Sequence, residues 1–212
     1  CVQLALTQLN RGVFFIATDP LLNVCGIFCQ GFRYERGPRG VADNPFKDLL
    51  PTVASYSWAV PTPAALKLIA SHAPLLEVGA GTGYWAWVLW QMGVDVIAYD
   101  ASPGLALRNK FHRFKLGWYL VHKNDGAYAV VNHQQRTLLL CWPSDIHMSD
   151  RTLRAYQGQR MIYIGANDSE HGVYTGNKAF HQELKEKWQL IEELTLPSWG
   201  ALVDKVRVYE RA

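Results

Sequence analysis

A chain of 212 residues and 23.9 kDa can bury a sizeable core, and 49% hydrophobic against 18% charged residues excludes a disordered polymer. A net charge of +3 at pH 7 neither demands nor forbids a nucleic-acid partner, because phosphate-binding proteins cluster their Lys and Arg. The cysteines Cys1, Cys25, Cys29 and Cys141 lack the paired short spacings of a zinc site, so free thiols in a reducing, intracellular compartment are expected, the cytoplasm first.

Residues 1–56 read as an N-terminal extension, and 57–212 as the main domain. The stretch CVQLALTQLNRG suits a short helix, and GFRYERGPRGVADNPF has the Gly/Pro/Arg chemistry of a loop. The apolar run from Pro20 to Phe32 is shorter than the roughly 18 residues of a membrane span, so a soluble protein is expected. Because the first residue is Cys1 rather than Met, an upstream segment and an organellar address stay open. Arg33, Arg36 and Arg39 lie close to Phe32 and Tyr34, a mixture that binds phosphates and stacks bases. Three arginines favour a tethering loop over an RNA site, so nucleic acid is not the favoured partner. Assembly with another protein through the extension is the competing use.

From PTPAALKLIASHAP onward the pattern is regular, with a proline-marked helix that places Ala64, Ala65, Leu68 and Ile69 on one face. Short apolar strands then alternate with helical stretches. Strands are expected over 75–79, 94–100, 118–125, 136–142 and 159–165, with helices over YWAWVLWQMG, GLALRNKFHRF, DRTLRAYQ and NKAFHQELKEKW. The alternation predicts an α/β fold with a doubly wound, mainly parallel sheet. The last two strands, 189–197 and 205–212, follow one another with no helix between them and are expected to pair antiparallel.

The turn after the first strand carries Gly79, Gly81 and Gly83, where ligands of doubly wound sheets sit. Glycine there permits unusual backbone angles and lets main-chain N–H groups approach a ligand. Asp100 ends the second strand, where a carboxylate can accept from both hydroxyls of a ribose. A nucleoside-containing ligand is therefore expected. The nicotinamide fingerprint needs glycine where Tyr84 stands, and no Lys-Ser/Thr follows the glycines as a Walker loop requires.

The pattern EVGAGTG, with Glu77 closing the first strand and Asp100 closing the second, resembles the class I S-adenosylmethionine-dependent methyltransferases over about residues 74–212. The resemblance implies a seven-stranded sheet ending in the antiparallel pair, and S-adenosyl-L-methionine as cofactor. Glu77 would orient the loop and the methionine end, Gly79, Gly81 and Gly83 would line the cofactor, and Asp100 would hold the ribose. Asp125 would read the adenine amino group, although NDG is also an ordinary turn signal. Trp85, Trp87 and Trp90 read as helix packing.

By the same resemblance the acceptor region follows the fourth strand, at LLLCWPSDIHMSD. It matches the motif of nitrogen methyltransferases only at Pro143; Cys141, Trp142 and Ser144 depart from it. Trp142 can stack on a flat acceptor or lie near the sulfonium, Ser144 can hydrogen-bond it, and Asp145 or His147 can accept a proton. Alternatively, Trp142 caps the sheet, Asp145 caps a helix and His147 faces solvent. Tyr56, Ser57 and Trp58 are candidates to fold over the cofactor, and Trp199 to reach the rim. The histidines show no metal-ligand spacing. Methyl transfer to a protein, RNA or small-molecule acceptor is the leading reading, and a catalytically weak methyltransferase-like subunit of a larger assembly the alternative.

Overall fold

The computed structural model describes residues 50–103, 112, 117–143, 147–168, 173–198 and 203–212. The expected helix over 104–114 lies outside the described residues except for His112, as does the extension up to residue 49. Helix α1 (Leu50–Ser55) and α2 (Pro63–Ala70) precede strand β1 (Leu75–Val78), α3 (Tyr84–Gln91) and β2 (Val96–Asp100). Next come β3 (Val121–Lys123), α4 (Gly126–Asn132), β4 (Thr137–Cys141) and α5 (Met148–Ala155). The chain continues through β5 (Arg160–Asp168), β6 (Val173–Tyr174), α6 (Lys178–Lys187), β7 (Trp188–Thr195) and β8 (Asp204–Arg211).

The main path of the sheet runs β3-β2-β1-β4-β5-β8-β7. Its first five members are parallel, while β8 runs antiparallel to both β5 and β7. This is the doubly wound, mainly parallel sheet that the alternation predicts, and its seven-strand path is the one that the resemblance implies. One addition has no sequence signal: the two-residue β6 pairs antiparallel with the end of β5, off the main path.

The interior strands read as nearly continuous apolar runs because both of their faces are covered. Alternate residues go to opposite layers. Leu75, Leu139, Ile162 and Ile164 pack with Leu66, Ile69, Trp85 and Leu89 of α2 and α3. Leu76, Leu138, Leu140 and Tyr163 pack with Val130, Leu153, Phe180 and Leu184 of α4, α5 and α6. The sheet is therefore the middle of three layers.

Helix α2 begins where Thr62 accepts the Ala65 N–H at 3.2 Å and Pro63 takes the first turn, which needs no donor. Its buried face is Ala65, Leu66 and Ile69. The expected face differs: Ala64 is exposed and Leu66 takes its place. Val53 of α1 is also fully buried in the α2–α3 layer, so the packed body begins before residue 57. Of the three tryptophans on α3, Trp85 is buried in that core, Trp87 joins Tyr84 and Trp118 in an aromatic cluster, and Trp90 is 52% exposed.

Candidate functional site

The strand order reverses at β1. The chain winds outward from β1 to β2 and β3, then crosses to β4 on the other side. A crevice forms beyond the carboxyl ends of the strands at such a point. A cavity of about 490 Å³ occupies it, with Glu77, Gly79, Gly81, Asp100, Asp125 and Trp142 in its lining.

Glu77 lies within β1 and projects into the layer that holds α3. Helix α3 starts at Gly83, which has no side chain to satisfy the first amides. Glu77 supplies the missing acceptor, taking the Ala86 N–H on Oε2 at 3.1 Å. The carboxyl is 2% exposed, and burial, aided by the negative charge of Asp100, pushes its pKa up to about 8.

The loop after β1 takes positive φ at Gly79 (76°), Gly81 (56°) and Gly83 (75°), a conformation that glycine adopts without strain. Its amides face inward. Gly79 and Ala80 both donate to the Tyr99 carbonyl, at 2.8 and 3.1 Å, and Gly83 donates to Ala80 at 2.7 Å. Gly81 donates to Asp100 Oδ2 at 2.9 Å. The expectation that these amides are offered to a ligand is thus corrected for four of them: they are satisfied within the protein, and the glycines contribute space instead. A Cβ on Gly79 would meet Met148 Cε at 2.7 Å, and one on Gly81 would meet the His112 ring at 2.6 Å. Gly83 falls outside the cavity lining; a Cβ there would strike Val121 and Tyr119 at the edge of the sheet.

Asp100 also accepts the Ser102 N–H on Oδ1 at 2.7 Å, so its carboxylate joins the glycine loop to the turn after β2. Asp125 caps α4, accepting the Tyr128 N–H at 2.8 Å, and remains exposed at the cavity edge. It thus serves both the ordinary turn role and the lining.

On the opposite side, Tyr56, Ser57 and Trp58 contribute to the lining. They are held by Thr82, which donates to the Tyr56 carbonyl at 2.7 Å, and by Trp118, whose indole donates to the Ser55 carbonyl at 2.7 Å. Trp58 stacks on Trp142 with ring centroids 5.0 Å apart and planes at 15°. Cys141 lies beside Glu77, and burial pushes its thiol well above the usual range, which suits a packed strand residue and not a nucleophile.

His147 lines the cavity from the N-cap position of α5, exposed and making no side-chain cap bond. Pro143 is buried and outside the lining; its carbonyl accepts the Gly176 N–H at 2.8 Å. Ser144, Asp145 and Trp199 lie outside the described residues. Sequence reasoning missed His112, Asn124, Met148, Arg151 and Thr152, all of which line the cavity. Arg151 follows His147 by four positions, a helical spacing that was readable once α5 was placed. His112 carried no signal: its ring meets the glycine loop through tertiary packing, and burial lowers its pKa. Among the described residues no group of His, Cys, Asp and Glu has the arrangement of a metal site, and no helix is long and apolar enough to cross a membrane.

No family model matches the chain, and no curated protein matches it. Solved structures do. TrmN from Thermus thermophilus is 16% identical, covering 70% of this chain and 48% of its own length, with a TM-score of 0.46. Sp1610 from Streptococcus pneumoniae, in complex with S-adenosyl-L-methionine, is 18% identical over 70% of this chain and 72% of that one, with a TM-score of 0.45. Magnesium protoporphyrin IX methyltransferase from Synechocystis PCC 6803, with bound SAH, is 10% identical over 84% of this chain and 90% of that one, with a TM-score of 0.44. This chain spans about half the length of TrmN. These likenesses define neither an activity nor an acceptor. The deciding feature is the sheet itself, five parallel strands followed by an inserted antiparallel β8. The fold is the class I methyltransferase fold.

Proposed function

We propose that the protein is an S-adenosylmethionine-dependent methyltransferase acting on an acceptor that can be protein, RNA or a small molecule. The observation that carries this reading is the convergence of Glu77, Asp100 and Asp125, from the regions of three successive parallel strands, on one cavity at the strand-order reversal. The cavity is large enough for a nucleoside and its substituent, and the glycine loop keeps side chains off its floor.

In this assignment Glu77 faces the methionine end, Asp100 accepts from the ribose hydroxyls, and Asp125 reads the adenine. When bound, the sulfonium supplies an electrophilic methyl carbon. The residues of this chain hold the acceptor in line with it and exclude water. Tyr56, Trp58 and Trp142 supply apolar walls. His147, at the exposed margin, takes up a proton if the acceptor loses one, with Asp145 as the neighbouring candidate. Ser144 and Trp199 remain assigned to the acceptor side by the sequence alone, whereas Pro143, buried outside the lining, drops out of that assignment. The catalytic domain is taken to begin at α1, with residues 1–49 as the extension through which a partner would attach.

Titration calorimetry with S-adenosyl-L-methionine tests the reading. Binding that is weakened in Asp100→Ala, while the variant remains folded, is the expected result. No heat at millimolar cofactor would exclude it.

A further inference from the structure

Asp204 is the first residue of β8, and because β8 runs antiparallel it lies at the carboxyl edge of the parallel strands, opposite Ala166 near the end of β5. This brings an acid from the far end of the chain to the ligand side of the sheet. The side chain is fully buried and absent from the cavity lining. Its Oδ1 accepts the indole N–H of Trp142 at 2.8 Å, while Oδ2 has no hydrogen-bond partner. A buried carboxylate with one oxygen left unsatisfied is costly, and the bond its other oxygen makes goes to a cavity residue.

Trp142 needs that support. It has φ of 48°, in the left-handed region, and it is the one non-glycine residue with positive φ among the described residues. A bulky side chain holds such a conformation when its surroundings over-determine it. Three contacts do so here: the Trp142 N–H donates to the Ile164 carbonyl at 2.8 Å, the ring stacks on Trp58, and the indole is tied to Asp204. The first two fix the backbone and the ring plane. The third fixes the rotation that decides which edge of the indole reaches the cavity. Asp204 is itself held, since its N–H donates to Ser198 Oγ at 2.7 Å and its carbonyl accepts from Leu196 at 2.9 Å.

We propose that Asp204 is a positioning residue: through the indole N–H it locks Trp142 against Trp58 as a two-tryptophan wall of the cavity, and so sets the affinity of the site for its ligand. This rests on the cofactor reading given above, with S-adenosylhomocysteine as the probe. The test compares Asp204→Leu, Asp204→Asn, Trp142→Phe and the Asp204→Leu/Trp142→Phe double variant. Two measurements are made on each: calorimetric affinity for S-adenosylhomocysteine, and the exciton couplet of the stacked tryptophans in far-ultraviolet circular dichroism, identified by its loss in Trp58→Phe.

Asp204→Leu should lose the couplet and bind about tenfold more weakly, whereas Asp204→Asn, which keeps an acceptor for the indole, should stay within about threefold of the parent. Trp142→Phe leaves the carboxylate in place and removes its donor, so it should match Asp204→Leu, and the double variant should be no weaker than either. An unchanged couplet or unchanged affinity in Asp204→Leu, or additive losses in the double variant, overturns the proposal. Should Asp204→Leu not fold, Trp142→Phe with unchanged affinity overturns it equally, because the wall that Asp204 holds would then not set the affinity of the site. If the parent protein binds no S-adenosylhomocysteine, the cofactor reading falls, and with it the role in affinity; the couplet still reads the lock without ligand and separates that failure from one of the anchor.

Discussion

The carboxylate of Asp100 ties the glycine loop to the end of β2, accepting the Gly81 N–H on one oxygen and the Ser102 N–H on the other. Both bonds need an acceptor, which sets the order of two substitutions. Asp100→Asn keeps one acceptor and turns the other into a donor facing an amide N–H. It should cost about 1–3 kcal/mol of stability despite its near-identical shape. Asp100→Ala leaves both amides to water at this half-buried site and should cost no more than that. Urea unfolding of the two variants measures the difference; an Asn variant as stable as the parent contradicts the bonding described.

The glycines of the loop should not respond alike. Gly79→Ala places its methyl against Met148 Cε, the mobile end of a flexible side chain, so the main cost is backbone strain at φ 76°, about 1–2 kcal/mol. Gly81→Ala meets the His112 ring, which is anchored through Nδ1 to the Ala54 carbonyl at 2.9 Å. That ring must break its bond to move, so Gly81→Ala should be the more destabilising in thermal melts. The reverse order would show that His112 gives way freely.

Much of this was legible because it is written locally. The apolar runs of β1, β4 and β5, separated by helical periods, fixed the parallel sheet, and the absence of a helix between β7 and β8 exposed the antiparallel end. Glu77, the glycines and Asp100 stood out because strand ends and turns have residue signatures. What stayed hidden depends on contacts between distant segments. Asp204 and Trp142 are far apart in sequence, and their bond exists because β8 enters the sheet beside β5. His112 reaches the loop, and α1 enters the core, without any pattern of their own. The loop amides were misjudged for a similar reason, since the Tyr99 carbonyl that satisfies two of them belongs to the next strand.

Burial of Glu77 makes stability depend on pH in a definite direction. Its carboxyl holds a proton in the folded state up to about pH 8 but loses it near its ordinary value of 4.5 when unfolded. The folded state therefore binds more protons between those values, and this group's contribution to stability falls as pH rises through the window, by on the order of 4 kcal/mol. Asp204, pushed up to about 7 by burial, adds a second decline that ends at lower pH. Glu77→Gln isolates the first, because its amide oxygen can still accept from Ala86 while no charge is buried. The variant should gain on the parent steadily between about pH 5 and 8 and hold a constant margin above that. Chemical unfolding at several pH values checks this; parallel profiles for parent and variant would falsify the burial argument.

Thr82 should govern the wall formed by residues 56–58. Its hydroxyl donates to the Tyr56 carbonyl at 2.7 Å, and its own carbonyl accepts the Trp118 N–H at 2.7 Å, so one buried residue links the glycine loop to the segment across the cavity. Thr82→Val preserves shape and the backbone bond but deletes the hydroxyl, leaving the Tyr56 carbonyl without that donor. The loss should be about 1–2 kcal/mol. Most of the effect should be local, because Trp118 still holds Ser55 and His112 still holds Ala54. Amide exchange over residues 54–60 should accelerate in Thr82→Val more than exchange in β4 or β5, and the variant should bind S-adenosylhomocysteine more weakly through a less ordered wall. Ser57→Ala is the control: its hydroxyl donates to the Ala59 carbonyl two residues away, a local bond, so its removal should leave the wall in place. Exchange that rises equally in both variants, or in neither, would show that the Thr82 bond does not hold the segment.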